Sequence, residues 1–167
     1  LNIYGGEPEE IYTFENGISD LQWLNDSTLA YTSHDGKTLY EQKLEEEKDN
    51  TVVVEDSVHW TTKKIYAFNL KDKSIRRLTD NDYPVGQYAV SQDGRWLITG
   101  LQMSPHYPAD AQPKSKYYLY DLENENSVEI LQGLQTPGNF QFTHDHRGFY
   151  FVAVSSSNPE WNGAGIS

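Results

Sequence analysis

Hydrophobic and polar positions along this chain change places in short runs, and the runs recur. Across residues 64–70, Ile65, Ala67 and Asn69 alternate with Tyr66, Phe68 and Leu70, the period-two pattern of a half-buried strand. Residues 95–101 crowd Trp96, Leu97, Ile98 and Leu101 together, as in a strand covered on both faces. Between these runs stand turn residues, such as Gln92-Asp93-Gly94-Arg95, where Asp-Gly supplies the positive φ that a tight hairpin needs. The spacing predicts strands over 18–24, 28–33, 63–70, 74–79, 85–91, 95–101, 116–122, 127–132, 138–143 and 148–154, with a further pair over 1–4 and 8–13. The one helical candidate, 40–48, is heavily charged and has no apolar stripe.

The runs form a repeat. Shifted by 52 positions, residues 64–93 fall on 116–145 without a gap: Gly86 on Gly138, Tyr88 on Phe140, Val90 on Phe142 and Asp93 on Asp145. Shifted by 67, residues 1–26 fall on 68–93, with Leu21 on Tyr88 and Asp26 on Asp93. Self-similarity with a period near 50 residues and four strands per unit points to an all-β fold, the blades of a β-propeller. The expected organisation is a half blade over 1–14 and a blade over 18–79 with an insert at 34–62. A second blade spans 85–132 with an insert at 102–115, and a further half blade spans 138–154, followed by 155–167. About three blades' worth of sequence makes an open arc, because closure takes roughly four to eight blades. The reading is therefore of a partial propeller, a piece of a longer protein. Its outermost strands would be edges able to pair with another copy.

All inserts lie between the second and third strands of a unit, while the other hairpin turns stay tight. In an up-and-down blade this places the elaborated loops on one face, together with the crossovers between blades. Loops elaborated on one side of a rigid scaffold are where binding concentrates. Ten strand aromatics, Tyr66, Phe68, Tyr88, Trp96, Tyr118, Tyr120, Phe140, Phe142, Tyr150 and Phe151, are expected to pack between blades.

Charge narrows the partners. The 167 residues carry 25 acidic and 13 basic side chains, a formal net charge of −12. That balance disfavours phosphate backbones and anionic membrane surfaces, so neither a nucleic acid nor a membrane is expected as a partner. Cysteine is absent, which removes disulfides and thiolate zinc sites but excludes neither cytoplasm nor periplasm; the cytoplasm is slightly favoured. No apolar run approaches the roughly 20 residues of a membrane-spanning helix.

The wording of the repeat resembles a known family. Ile75-Arg76-Arg77-Leu78-Thr79, followed by Val90-Ser91-Gln92-Asp93-Gly94-Arg95-Trp96-Leu97-Ile98, is similar to a signature of the amino-terminal propellers of the prolyl oligopeptidase family, notably its acylaminoacyl-peptidase and dipeptidyl-peptidase-like members. The TolB propeller carries a similar phrase. Gly5-Gly6-Glu7-Pro8 is also typical of such propellers, and 52–56 followed by 64–70 looks closer to the peptidases. Gln92 stands where the signature has proline, and His146 where it has the turn glycine. The resemblance implies a segment that caps an α/β-hydrolase domain, gates access to it and positions a peptide substrate. Such a domain keeps its nucleophile in Gly-x-Ser-x-Gly, which does not occur in this chain. The segment itself is thus expected to be non-catalytic and to need no cofactor. The TolB-like alternative is a protein-interaction scaffold with no enzyme attached.

Candidate binding residues follow from the loop face. Glu45, Glu46, Glu55 and Asp56 belong to an acidic stretch that could meet a peptide amino terminus; the bland reading is a solvated charge run. Trp60, Tyr83, Tyr107 and Trp161 could line a peptide surface, and His106 could orient a ligand, against ordinary packing beneath loops. His144-Asp145-His146 has metal-ligand residue types, but Asp145 aligns with the turn aspartates, so a structural turn is expected and no metal.

Overall fold

The structure, a computed structural model, describes residues 10–36, 62–104 and 114–154. These residues hold ten β-strands and no helix. The first sheet runs β1 (Ile18–Asn25), β2 (Thr28–His34), β3 (Lys63–Asn69), β4 (Ile75–Arg77), and the second β5 (Val85–Val90), β6 (Trp96–Leu101), β7 (Lys116–Asp121), β8 (Asn126–Ile130). Strands β9 (Gln135–Phe142) and β10 (Phe149–Val154) form a hairpin. Every pairing is antiparallel between neighbours in sequence. The first strands of successive sheets meet, β1 on β5 and β5 on β9. The protein is therefore all-β, with its sheets set as an open arc of propeller blades.

Burial follows position within the blade. Second strands lie between two neighbours in their own sheet and under the adjoining sheets, so Leu97 and Ile98 of β6 are fully buried. Leu24, Ala30, Ile65 and Ala67 of the first sheet share one core with Val85, Tyr88, Leu97 and Leu101 of the second. Burying Ile65 or Leu97 stabilises by about 1.5–3 kcal/mol each. The seam toward the hairpin is aromatic: Tyr117 meets Phe140 edge-on with ring centres 5.6 Å apart, and Phe140 sits 6.1 Å from Phe151.

Hydrogen bonds cross the seams where strands cannot pair. The Gln22 amide donates to the Tyr88 carbonyl at 2.9 Å and accepts from the Val90 N–H at 3.3 Å. Tyr88 donates its hydroxyl to the backbone carbonyls of Asp20 and Ala30. Gln87 donates to the Pro137 carbonyl at 3.0 Å. Each first strand also carries an extra residue against its partner, between Ser19 and Gln22, between Val85 and Gln87, and between Gly138 and Gln141. At two of these bulges a non-glycine residue takes positive φ, 53° at both Asp20 and Asn139, equivalent positions of the repeat.

The hairpin turns share a hydrogen-bond plan. Asp93 accepts from the Ser91 hydroxyl and the Arg95 N–H, and Ser91 Oγ accepts from the Trp96 N–H. Asp145 repeats this with Thr143 and Arg147, and His146 takes the place of Gly94 at φ 58°. His144-Asp145-His146 is thus a structural turn. In the first sheet the acceptor is Asn25, bonded by the Ser27 N–H, and not the aligned Asp26, because that turn is one residue shorter.

Three expectations need correction. Residues 10–14 form no strand, so the described part of the 8–13 run is irregular chain. It folds back over the first sheet, with Phe14 4.9 Å from Tyr31 and 5.2 Å from Phe68. The fourth strand of the first sheet is confined to Ile75–Arg77, since Thr79 turns its hydroxyl inward to accept the Ile65 N–H. Tyr150 is exposed at 54% and packs in no seam, because no sheet covers that face of the hairpin among the described residues.

Candidate binding face

The ends of the elaborated loops and the crossovers between sheets are tied together. Thr62 donates to the Asp82 carbonyl at 3.3 Å, Gln102 N–H to the Pro84 carbonyl at 2.9 Å, and Asn81 Nδ2 to the carbonyls of Lys63 and Tyr83. Ser33 likewise donates to the Gly17 carbonyl at 2.9 Å. These bonds fasten one face of the arc, where the loops between second and third strands begin and end. Tyr83 sits on this face, 38% exposed. Glu45, Glu46, Glu55, Asp56, Trp60, His106, Tyr107 and Trp161 lie outside the described residues.

Strand ends build a charge ladder on the same face that the sequence reading did not name. Lys63 lies 3.2 Å from Asp20, which also accepts from Thr32 Oγ1 at 2.8 Å. The Thr32 hydroxyl and the Lys63 ammonium hold the Asp20 carboxyl below its ordinary value. Lys64 bridges Asp35 at 3.0 Å and Asp80 at 3.3 Å, and Arg77 spans the same two acids at 3.7 and 3.3 Å. Tyr66 donates its hydroxyl to Asp35 at 2.7 Å. That bond and Lys64 lower the Asp35 carboxyl, while burial and the facing carboxylate raise the Tyr66 phenol. Three acids and three bases neutralise one another here. Exposed pairs of this kind contribute little stability, about 0–1 kcal/mol each, so the ladder chiefly fixes where loop ends sit. The one advance signal was Lys63-Lys64 directly after the long insert.

Beside the ladder opens a cavity of about 350 Å³ lined by Tyr12, Phe14, Tyr31, His34, Asp35 and Tyr66, among others. Its aromatics are set against one another: Tyr12 and Phe14 edge-on at 4.9 Å, and Tyr31 and Tyr66 stacked at 5.7 Å. Rigid aromatic walls with a carboxylate at the rim can hold an apolar side chain while meeting a positive group. Among the described residues no group of three acidic, histidine or cysteine side chains could hold a metal ion. No protein-family model matches the chain, and no curated protein matches it.

Proposed function

We propose that this chain is a non-catalytic propeller segment of a larger serine peptidase of the prolyl oligopeptidase family, gating access to an α/β-hydrolase domain and positioning peptide for it. One observation carries the reading: the aromatic cavity with Asp35 opens on the face where the loop ends are pinned to the inter-sheet crossovers. A peptide lodged there would set an apolar side chain against Tyr12 and Tyr31 and its amino terminus near Asp35. The Arg-Arg-Leu-Thr and Ser-Gln-Asp-Gly phrases support the family. In the structure they supply the rim residue Arg77, the inward Thr79 and the Asp93 turn.

Two measurements test it. The chain alone should turn over no aminoacyl or peptidyl chromogenic substrate, and a turnover abolished by a serine reagent would overturn the assignment. Titration with short unblocked peptides should shift the amide signals of Tyr12, His34 and Asp35 and spare those of β8. The coding sequence downstream of Ser167 should contain a Gly-x-Ser-x-Gly elbow. A stop codon soon after it would leave the interaction scaffold without an enzyme instead.

A further inference from the structure

Strand β10 occupies the place of a strand that elsewhere in this protein is never an edge. Both β2 and β6 pair on two sides, β2 with β1 and β3, β6 with β5 and β7. Among the described residues β10 pairs with β9 alone. The 52-residue repeat places Phe149 on Leu97 and Val152 on Gly100. Pairing agrees, since Phe149 opposes Phe142 as Leu97 opposes Val90. Leu97 is fully buried, whereas Tyr150 and Val152 are 54% and 57% exposed.

Backbone direction can be read from the turns. The Trp96 carbonyl accepts from Ser91 and the Pro84 carbonyl takes the Gln102 N–H, so even-numbered residues of β6 face β5. Leu97, Thr99 and Leu101 therefore face β7, opposite Tyr120, Tyr118 and Lys116. In the hairpin the Gly148 carbonyl accepts from Thr143. Phe149, Phe151 and Ala153 consequently turn their N–H and C=O groups to the open edge. Unpaired strand groups of this kind are a template for another strand.

We infer that the open edge of β10 is a peptide-binding site that takes an extended segment as an antiparallel third strand, by strand addition. The two intact sheets state the chemistry of the occupant. Lys63–Asn69 and Lys116–Asp121 both begin with lysine, carry tyrosine and phenylalanine at alternate positions and end in Asn or Asp. The bound segment runs antiparallel, with an aromatic opposite Phe149 and another opposite Phe151, as Tyr120 and Tyr118 stand opposite Leu97 and Thr99. The site is independent of the aromatic cavity on the loop face and stands or falls apart from it.

The test uses the chain with a synthetic peptide of residues 114–123. Saturable binding is expected, with new hydrogen-exchange protection at the amides of Phe149, Phe151 and Ala153. N-methylation of the peptide at Tyr118, whose N–H would face β10, should weaken binding at least about tenfold. N-methylation at Leu119, whose N–H faces away, should leave it within about twofold. Ala153→Pro removes one edge donor without touching a bond to β9, and should weaken binding in step with the Tyr118 methylation. Equal loss from both methylated peptides would overturn strand addition. Amides already protected before peptide is added would overturn it too, as would a dimer abolished by Ala153→Pro that takes up no peptide.

Discussion

The guanidinium of Arg95 lies 3.0 Å from the carboxylate of Asp121, tying the turn after β5 to the turn after β7. Asp121 is nearly buried, with its side chain 6% exposed, and it also accepts the N–H groups of Glu123 and Asn124 and the Asn124 amide. Arg95 first, and then these donors, pull its carboxyl down to about 2. A depressed folded value means the unfolded chain binds the proton more readily, so the contribution is complete above about pH 4 and fades as pH falls toward 2. Asp121→Asn should therefore lower the urea midpoint at neutral pH, and the gap to the native chain should close on acidification through that window. A gap that stays constant down to about pH 2 would sink the assignment.

Gln22 is the polar fastener of the first seam. Replacing it with Ala leaves the Tyr88 carbonyl and the Val90 N–H without their side-chain partner. The expected loss is about 1–3 kcal/mol in denaturant titrations. Gln22→Glu keeps the acceptor for Val90 but loses the donor to Tyr88, and should fall between the two.

Gly100 and Gly148 make a matched pair. A Cβ on Gly100 would meet Tyr117 Cε1 at 2.9 Å and Gln87 Cγ at 3.1 Å. Tyr117 is buried and cannot swing away. Gly100→Ala should cost about 1–3 kcal/mol. Nothing lies within 4 Å of a Cβ on Gly148, and Gly148→Ala should stay within about 0.5 kcal/mol. Thermal melts of the two variants give the comparison directly.

At the last hairpin, His146 holds φ 58° where Gly94 holds 72° in the equivalent turn. A left-handed conformation costs a non-glycine residue about 1–2 kcal/mol, partly offset by the greater freedom glycine loses on folding. His146→Gly should stabilise by about 0.5–1 kcal/mol. Gly94→Ala should do the reverse, and more strongly, because its Cβ also meets the Leu24 carbonyl at 3.1 Å. A destabilised His146→Gly would mean that the imidazole contributes something beyond filling the turn.

Strand order was legible because pattern and packing impose the same constraint. The apolar crowding of residues 97, 98 and 101 predicts burial on both faces, and β6 has it. Turn chemistry was legible for the same reason at Ser91-Gln92-Asp93-Gly94. What escaped depends on distance in sequence or on backbone shape. The ladder of Asp20, Asp35, Lys63, Lys64, Arg77 and Asp80 draws on four strand ends, and no local spacing announces it. The positive φ at Asp20 is likewise silent, since Asp is at home in many turns and strands. Asn25 displaced Asp26 as turn acceptor because one missing residue shifts the frame, which an alignment of letters hides. Tyr150 reads as a core aromatic by its position in the repeat and is bare only for want of a covering sheet.

The bulge in each first strand has a consequence of another kind. Asp20, Gln87 and Asn139 occupy equivalent positions in the repeat, at or beside the extra residue of each strand. What the three copies preserve there is a kink in the path of the chain, while the side chain has drifted from acid to amide. The geometry of the arc is thus inherited separately from the chemistry along its inner wall. Evolution can rewrite that wall one residue at a time and still keep the blades in step.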